Sequence, residues 1–181
     1  MTPKCTVLLT GATGFLGSYL LKALLSLGYK VVIMKRSTSN TWRITNLLNQ
    51  VTSYNIDIVP LNQAFEDQRI DAVIHTACDY GRNGDIRQIL ETNLMYGLKL
   101  LDIAISFNTD TFLNTDTLMN HKVNIYTLSK KQFAEWLYKY RGRIQIINLK
   151  LEHLYGSLDD TAKFVPWVLS QLKKNAEEIN L

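Results

Sequence analysis

The sequence is poor in cysteine, in long apolar runs and in charge of one sign, and each shortage closes off a class of protein. Only Cys5 and Cys78 occur, so neither a disulfide framework nor a metal-ligand spacing is available, and both thiols are expected to stay reduced in the cytoplasm. No stretch approaches the roughly twenty apolar residues of a membrane span, and the chain enters a strand at once instead of presenting a cleavable signal. The formal net charge is +4, but the Lys and Arg residues are scattered, with no run longer than a pair such as Lys173-Lys174. A nucleic-acid partner is not expected from that pattern, whereas a mildly positive pocket suits a phosphorylated ligand. Internal repeats, low-complexity segments and interdomain linkers are also missing. One soluble globular domain with a real core is therefore predicted.

What is present is concentrated near the start. Val7, Leu8 and Leu9 form a short apolar run of the kind buried on both faces of a parallel sheet, and Phe15, Leu16, Tyr19, Leu20, Ala23, Leu24 and Leu27 recur at helical spacing. Between them lies Gly11-x-x-Gly14-x-x-Gly17. Gly11 permits a sharp turn, Gly14 lets a diphosphate approach the backbone, and Gly17 lets the helix pack close against the strand. The free N–H groups and positive end of the helix then face phosphate.

A second strand, Val31-Val32-Ile33-Met34, ends in Lys35-Arg36-Ser37. An acidic residue there would accept hydrogen bonds from both ribose hydroxyls of NAD, whereas a basic one pairs with the 2′-phosphate of NADP, so Arg36, with Ser37 or Lys35 in support, predicts NADP(H). A short helix is predicted over 41–50, a third strand over 56–59, and another short helix over 63–69. Asp71-Ala72-Val73-Ile74-His75-Thr76-Ala77 is the fourth strand. His75 has two readings, an acid/base or a hydrogen-bonded core histidine, and its place inside a buried strand favours the core.

The loop from Cys78 to Gly84 leaves the carboxyl end of that strand, where ligands of open α/β sheets bind, and makes Asp79 and Tyr80 candidate sugar contacts. Asp85 can cap a long helix over 86–107, striped by Ile89, Leu90, Leu94, Leu98, Leu101 and Ile105. A fifth strand, Thr111 to Thr115, leads through Asp116-Thr117 to Tyr126-x-x-x-Lys130. Residues four apart share a helix face, so the Lys130 ammonium can lie beside the Tyr126 phenol and bring its pKa down towards the working range of a proton carrier. The same helix presents Phe133, Ala134, Trp136, Leu137 and Tyr140 as a core face. A sixth strand covers 144–149, and a last helix over 164–175 is predicted to bury Val165, Val168, Leu169 and Leu172. Six strands alternating with helices predict an α/β fold: a doubly wound, Rossmann-like parallel sheet with helices on both faces.

Thr10-Gly11-Ala12-Thr13-Gly14-Phe15-Leu16-Gly17, Val73-Ile74-His75-x-Ala77, Asn93 within Glu-Thr-Asn-Leu-Met-Tyr-Gly, Tyr126-x-x-x-Lys130 and Leu151-Glu152-His153-Leu154-Tyr155-Gly156 together resemble the extended short-chain dehydrogenase/reductases of the NAD-dependent epimerase/dehydratase type. Phe-Leu-Asn-Thr-Asp-Thr, the Glu152-His153 pair and Lys163-Phe-Val-Pro are similar to the nucleotide-sugar 4-ketoreductases that make CDP-3,6-dideoxyhexoses, the abequose and paratose synthases. The resemblance implies that Gly11, Thr13, Gly14, Phe15, Leu16, Gly17, Arg36, Ser37, Thr76, Ala77, Asn93 and His153 serve the cofactor, Asn93 by holding backbone geometry. It gives Thr115, Tyr126 and Lys130 the catalytic roles, with Tyr126 and Lys130 also touching cofactor. Asp79, Tyr80, Asp116 and Phe164 are implied on the substrate side. Asp116 matches the aspartate acid of nucleotide-sugar dehydratases, but Thr117 stands where those enzymes carry a glutamate base, and a turn-capping role fits Asp116 equally. Lys150 replaces arginine, Ser157 replaces proline, and the Thr115–Tyr126 gap is short for the family.

The resemblance implies one dinucleotide-binding domain over 1–181, with 157–181 opening a substrate lobe that is mostly missing. The expected activity is NADPH-dependent reduction of a nucleotide-linked 4-keto-6-deoxyhexose in O-antigen deoxysugar synthesis. The alternatives are an NAD-dependent 4-epimerase and a non-catalytic NADP-binding module. A homodimer through two helices per subunit is the family's habit.

Overall fold

The computed structural model describes residues 5–82 and 84–174. Six strands, β1 (Thr6–Thr10), β2 (Lys30–Lys35), β3 (Thr52–Asn55), β4 (Ala72–His75), β5 (Thr111–Thr117) and β6 (Gln145–Leu151), form one sheet in the order β3-β2-β1-β4-β5-β6. Every pairing is parallel. The order reverses between β1 and β4, which opens a crevice at their carboxyl ends.

Helices α1 (Phe15–Ser26), α2 (Gln63–Asp67), α3 (Ile86–Leu90), α4 (Tyr96–Ser106), α5 (Ile125–Lys139) and α6 (Phe164–Lys173) connect or follow the strands. Side chains of a strand alternate between faces, and the core divides accordingly. Leu8, Val32, Val73 and Phe112 pack with Phe65 of α2, Leu100, Leu101 and Ala104 of α4, and Phe133 and Leu137 of α5. Leu9, Val31 and Ile33 point the other way, against Leu21 of α1 and Ile44. The doubly wound Rossmann-like sheet expected from the sequence is the observed fold.

Several local expectations need correction. The third strand is Thr52–Asn55, not 56–59. Ile56 donates its N–H to Lys35 O at the strand end, and Asp57 turns back to accept from Ser37 N, which leaves Ile58 74% exposed in the turn. The helix over 41–50 contracts to a 3-10 turn at Thr45–Gln50. Trp136 lies 48% exposed on α5, because only Phe133 and Leu137 of that helix's large apolar residues are fully buried. No described residue of α6 is fully buried; Leu169 and Leu172 are exposed, and residue 175 lies outside the described residues.

The long helix over 86–107 is interrupted by a π-turn at Glu91–Met95, joining α3 to α4. Asp85 caps its start, accepting from Arg87 N and Gln88 N. The wide turn carries Asn93 inward, fully buried. Its Oδ1 accepts from Asp79 N at 2.7 Å, and its Nδ2 donates to Asp79 O and to Ser129 Oγ.

Candidate active site

The glycine turn is built by exclusion. A β-carbon on Gly17 would lie 2.0 Å from Gly11 O, and one on Gly11, at φ +70°, would strike Thr76 Oγ1 and Ala77 N. Only glycine lets β1, α1 and the end of β4 approach this closely. Gly14 caps α1 with no side-chain hydrogen bond, and the first turn carries no acidic residue. The helix therefore presents unopposed N–H groups and a positive dipole end, the arrangement that suits a diphosphate.

That turn forms one wall of a cavity of about 1040 Å³. Gly11, Thr13, Gly14, Phe15, Leu16, Gly17, Arg36, Thr76 and Ala77 line it, together with Asp79, Tyr80, Thr115, Asp116, Tyr126, Lys130 and His153. The structure places Ser37, Asn93 and Phe164 outside the lining. Ser37, just beyond β2, is held by Asp57 and Asn55 at the carboxyl end of β3. Asn93 fixes the backbone of Asp79 from behind. Phe164 is 63% exposed.

β5 delivers Thr115, and α5 delivers Tyr126 and Lys130 on one face. Asn124 and Thr127 form a reciprocal capping box that fixes where α5 begins, one residue before Tyr126. Thr115 Oγ1 donates to His75 O at 3.2 Å, tying the hydroxyl to β4. Ser129 Oγ donates to Tyr126 O while accepting from Asn93, so helix and loop share one hydrogen-bonded brace. Lys130 is only 2% exposed, and no ion pair among the described residues engages its ammonium. Burial pushes its pKa down. A buried cation on a cavity wall calls for polar ligand groups such as ribose hydroxyls.

The Tyr126 phenol does not behave as the sequence suggests. Burial, then the neighbouring Cys78 and Asp116, raise its pKa. Lys130, itself desolvated, does not reverse this rise. The Tyr80 ring packs 5.0 Å from that of Tyr126.

His75 is fully buried and hydrogen-bonded through Nδ1 to Thr10 Oγ1 at 2.9 Å. It is ringed by Tyr96, Phe112 and Phe133, and burial, then Lys130, lowers its pKa to about 3. It is a neutral core residue. Asp116 has both oxygens engaged: Oδ1 accepts from Thr117 N, and Oδ2 from Lys131 Nζ at 3.0 Å and Asn148 Nδ2 at 3.1 Å. Lys131 Nζ also donates to Thr117 O. This clamp joins β5, β6 and α5.

A family model described as the NAD dependent epimerase/dehydratase family matches residues 7–181. The chain belongs to that family. Among relatives of this epimerase/dehydratase chain, CDP-abequose synthase of Salmonella muenchen is 30% identical over 181 residues, covering 94% of the chain and 60% of the relative. The Salmonella typhimurium CDP-abequose synthase is 32% identical over 179 residues, covering 93% and 59%. The chain thus spans about 60% of the length of these relatives. In structure it is similar to UDP-glucuronic acid 4-epimerase from Bacillus cereus in complex with NAD, with a TM-score of 0.81, 23% identity, and coverage of 94% of this chain and 63% of that one. At that identity the likeness concerns the fold.

The lining also includes residues to which the sequence reading gave no site role: Arg43, Thr92, Tyr96, Asp159, Asp160 and Lys163. Tyr96 sits three residues beyond Asn93 in the same motif, a usable signal. Lys163 is the N-cap of α6, so it, and not its neighbour Phe164, turns back to the cavity. Arg43 has no local signal; its Nε reaches Leu158 O, far along the chain. Among the described residues no group of three or more His, Cys, Asp or Glu is placed to hold a metal, and no helix is long and apolar enough to cross a membrane.

Proposed function

We propose that this chain carries the dinucleotide-binding and reacting part of a cytoplasmic enzyme that uses NADPH to reduce a nucleotide-linked 4-keto-6-deoxyhexose, most suitably a CDP sugar, in deoxysugar synthesis of the O-antigen kind. The observation that carries this reading is the convergence of Thr115, Tyr126 and Lys130 on one cavity with the glycine turn. The similarity to two CDP-abequose synthases narrows the substrate class. Residues 157–181 open the substrate lobe in this reading, and two helices per subunit form a homodimer.

NADPH, when bound, supplies the hydride for the C4 carbonyl. Tyr126 gives its proton to the developing alkoxide, and its raised pKa keeps that proton in place until the oxygen becomes basic. Thr115 holds the same oxygen after turning its hydroxyl from His75 O. Lys130 binds ribose hydroxyls and stabilises the phenolate left by proton transfer. Arg36, on the lining at the end of β2, supports a 2′-phosphate and hence NADPH over NADH. Asp116 is clamped by Lys131, Asn148 and Thr117, which favours a positioning role over proton donation.

Mixing the purified protein with NADPH and CDP-4-keto-6-deoxyglucose, or its dTDP counterpart, tests the reading. Absorbance at the reduced nicotinamide band should fall, and Tyr126→Phe should slow it by roughly a hundredfold or more. A 4-epimerase would interconvert sugars with NAD and no net consumption. NADPH binding without turnover of either sugar would identify a binding module and overturn the reductase reading.

A further inference from the structure

The core face of the sheet holds two polar side chains that are left incomplete. His75 of β4 and Asn114 of β5 are fully buried register partners. Neighbouring strands lie about 4.8 Å apart, and side chains alternate in direction along each. Val73 and Phe112 both enter the core packed by α4 and α5, so His75 and Asn114, each two residues further on, share that face. His75 Nε2 and Asn114 Oδ1 are each buried with no hydrogen-bond partner among the described residues. Buried polar atoms are rarely left so.

The hydrogen bonds around them fix which is donor and which is acceptor. The Asp116 carboxylate, paired with Lys131, can only accept, so Asn148 turns its Nδ2 to Asp116 Oδ2, at 3.1 Å. Asn148 Oδ1 then faces Asn114 and takes its Nδ2 at 2.8 Å, which leaves Asn114 Oδ1 as an acceptor without a donor. Thr10 orients His75 in the same manner. Its Oγ1 accepts from Ala77 N at 3.4 Å and gives its own proton to His75 Nδ1 at 2.9 Å. Burial, then Lys130, keeps the ring neutral, so its one N–H is at Nε2. A donor and an acceptor side by side that do not bond directly call for a small group able to accept from one and donate to the other. A cation is repelled by the Nε2–H, and an anion by Asn114 Oδ1 and the apolar rings of Phe112 and Phe133. Water does both jobs and needs only two to four polar partners.

We propose that His75 Nε2 and Asn114 Oδ1 bind one internal water molecule between β4 and β5, and that Asn114, acting through it, is a positioning residue for Thr115. Thr115 follows Asn114 directly, and its Oγ1 donates to His75 O at 3.2 Å. The water ties together the side chains of the same two residues whose backbones place that hydroxyl. With it, one line of side-chain hydrogen bonds runs from Asn148 of β6 through Asn114 of β5 and His75 of β4 to Thr10 of β1. The water site is independent of any reaction; its consequence for turnover rests on the reductase reading above.

The test is a high-resolution crystal structure of the protein, paired with nitrogen NMR of its isotope-labelled histidines. Density for a water within hydrogen-bond distance of both atoms is expected, together with a neutral His75 protonated at Nε2. Asn114→Leu should lose the water and lengthen the contact from Thr115 Oγ1 to His75 O. In NADPH oxidation with the keto sugar it should lower kcat about tenfold, the mark of a misplaced group that acts in the transition state, and leave KM and NADPH affinity within about twofold. Asn148→Leu, which frees Asn114 to turn, should act in the same direction and serves if Asn114→Leu does not fold. A ring protonated at Nδ1, a direct bond from His75 to Asn114, or parent density without the water would each overturn the site. Loss of the water with Thr115 unmoved overturns the positioning role. A parent that consumes no NADPH removes the reductase reading, while the water and the place of Thr115 in parent and variant structures still decide this inference.

Discussion

The two walls of the cavity are made in different ways. On one side the glycine turn joins β1 to α1 against fully buried strands, and its geometry is set by backbone atoms too close to admit a β-carbon. On the other side, residues 152–163 are mostly exposed and are held by side-chain bonds: Tyr19 Oη to Ser157 O, Arg43 Nε to Leu158 O, Arg82 to Asp160 and Lys163 to Asp159. The first wall is coupled to the stability of the whole domain. The second is open to change at little cost to folding.

That contrast can be broken by measurement. The largest effect is expected from Gly17→Ala, whose new methyl would lie 2.0 Å from Gly11 O. Overpacking against backbone should remove about 3 kcal/mol in urea unfolding, and an unchanged midpoint would refute the rigid wall. Next is acid sensitivity. His75 has a folded pKa of about 3, below its ordinary value near 6.5, so the unfolded chain binds the extra proton. Stability is full above pH 6.5 and is lost as pH falls, at a slope approaching about 1.4 kcal/mol per pH unit, until about pH 3. A flat stability profile between pH 6.5 and 4 would contradict this.

Lys131→Met should cost about 2 kcal/mol by leaving the Asp116 carboxylate, 1% exposed, without its cation. The smallest effect belongs to the rim: Arg82→Ala removes a pair with both partners well exposed and should cost under about 1 kcal/mol. A larger loss there would show that the rim supports the fold after all.

The sequence is readable where burial and period agree. Val7-Leu8-Leu9 and Val31 to Met34 are apolar because helices cover both faces, and their strands stand where expected. The pattern misleads at the sheet edge: β3 is the polar Thr-Ser-Tyr-Asn, while the apolar Ile56 to Val59 lies in the following turn. Trp136 shows that an apolar residue on an amphipathic helix need not face inward. For the site, motif spacing found the glycine turn, Thr115, Tyr126 and Lys130 as cavity residues. It missed Arg43 and Asp159, whose places depend on contacts between distant segments, and the direction of the Tyr126 shift, which depends on how much water the folded cleft excludes.

The π-turn at Glu91–Met95 carries a consequence for how insertions and deletions would act on this protein. An α-helix turns by about 100° per residue. Trimming one position from this turn would rotate α3 away from the Cys78–Arg82 loop while α4 kept its seat on the sheet. A one-residue deletion here should therefore displace the cavity-lining Cys78–Arg82 loop in a protein that still melts cooperatively, whereas the same deletion within α4 should unseat Leu100 and Leu101 and prevent folding altogether.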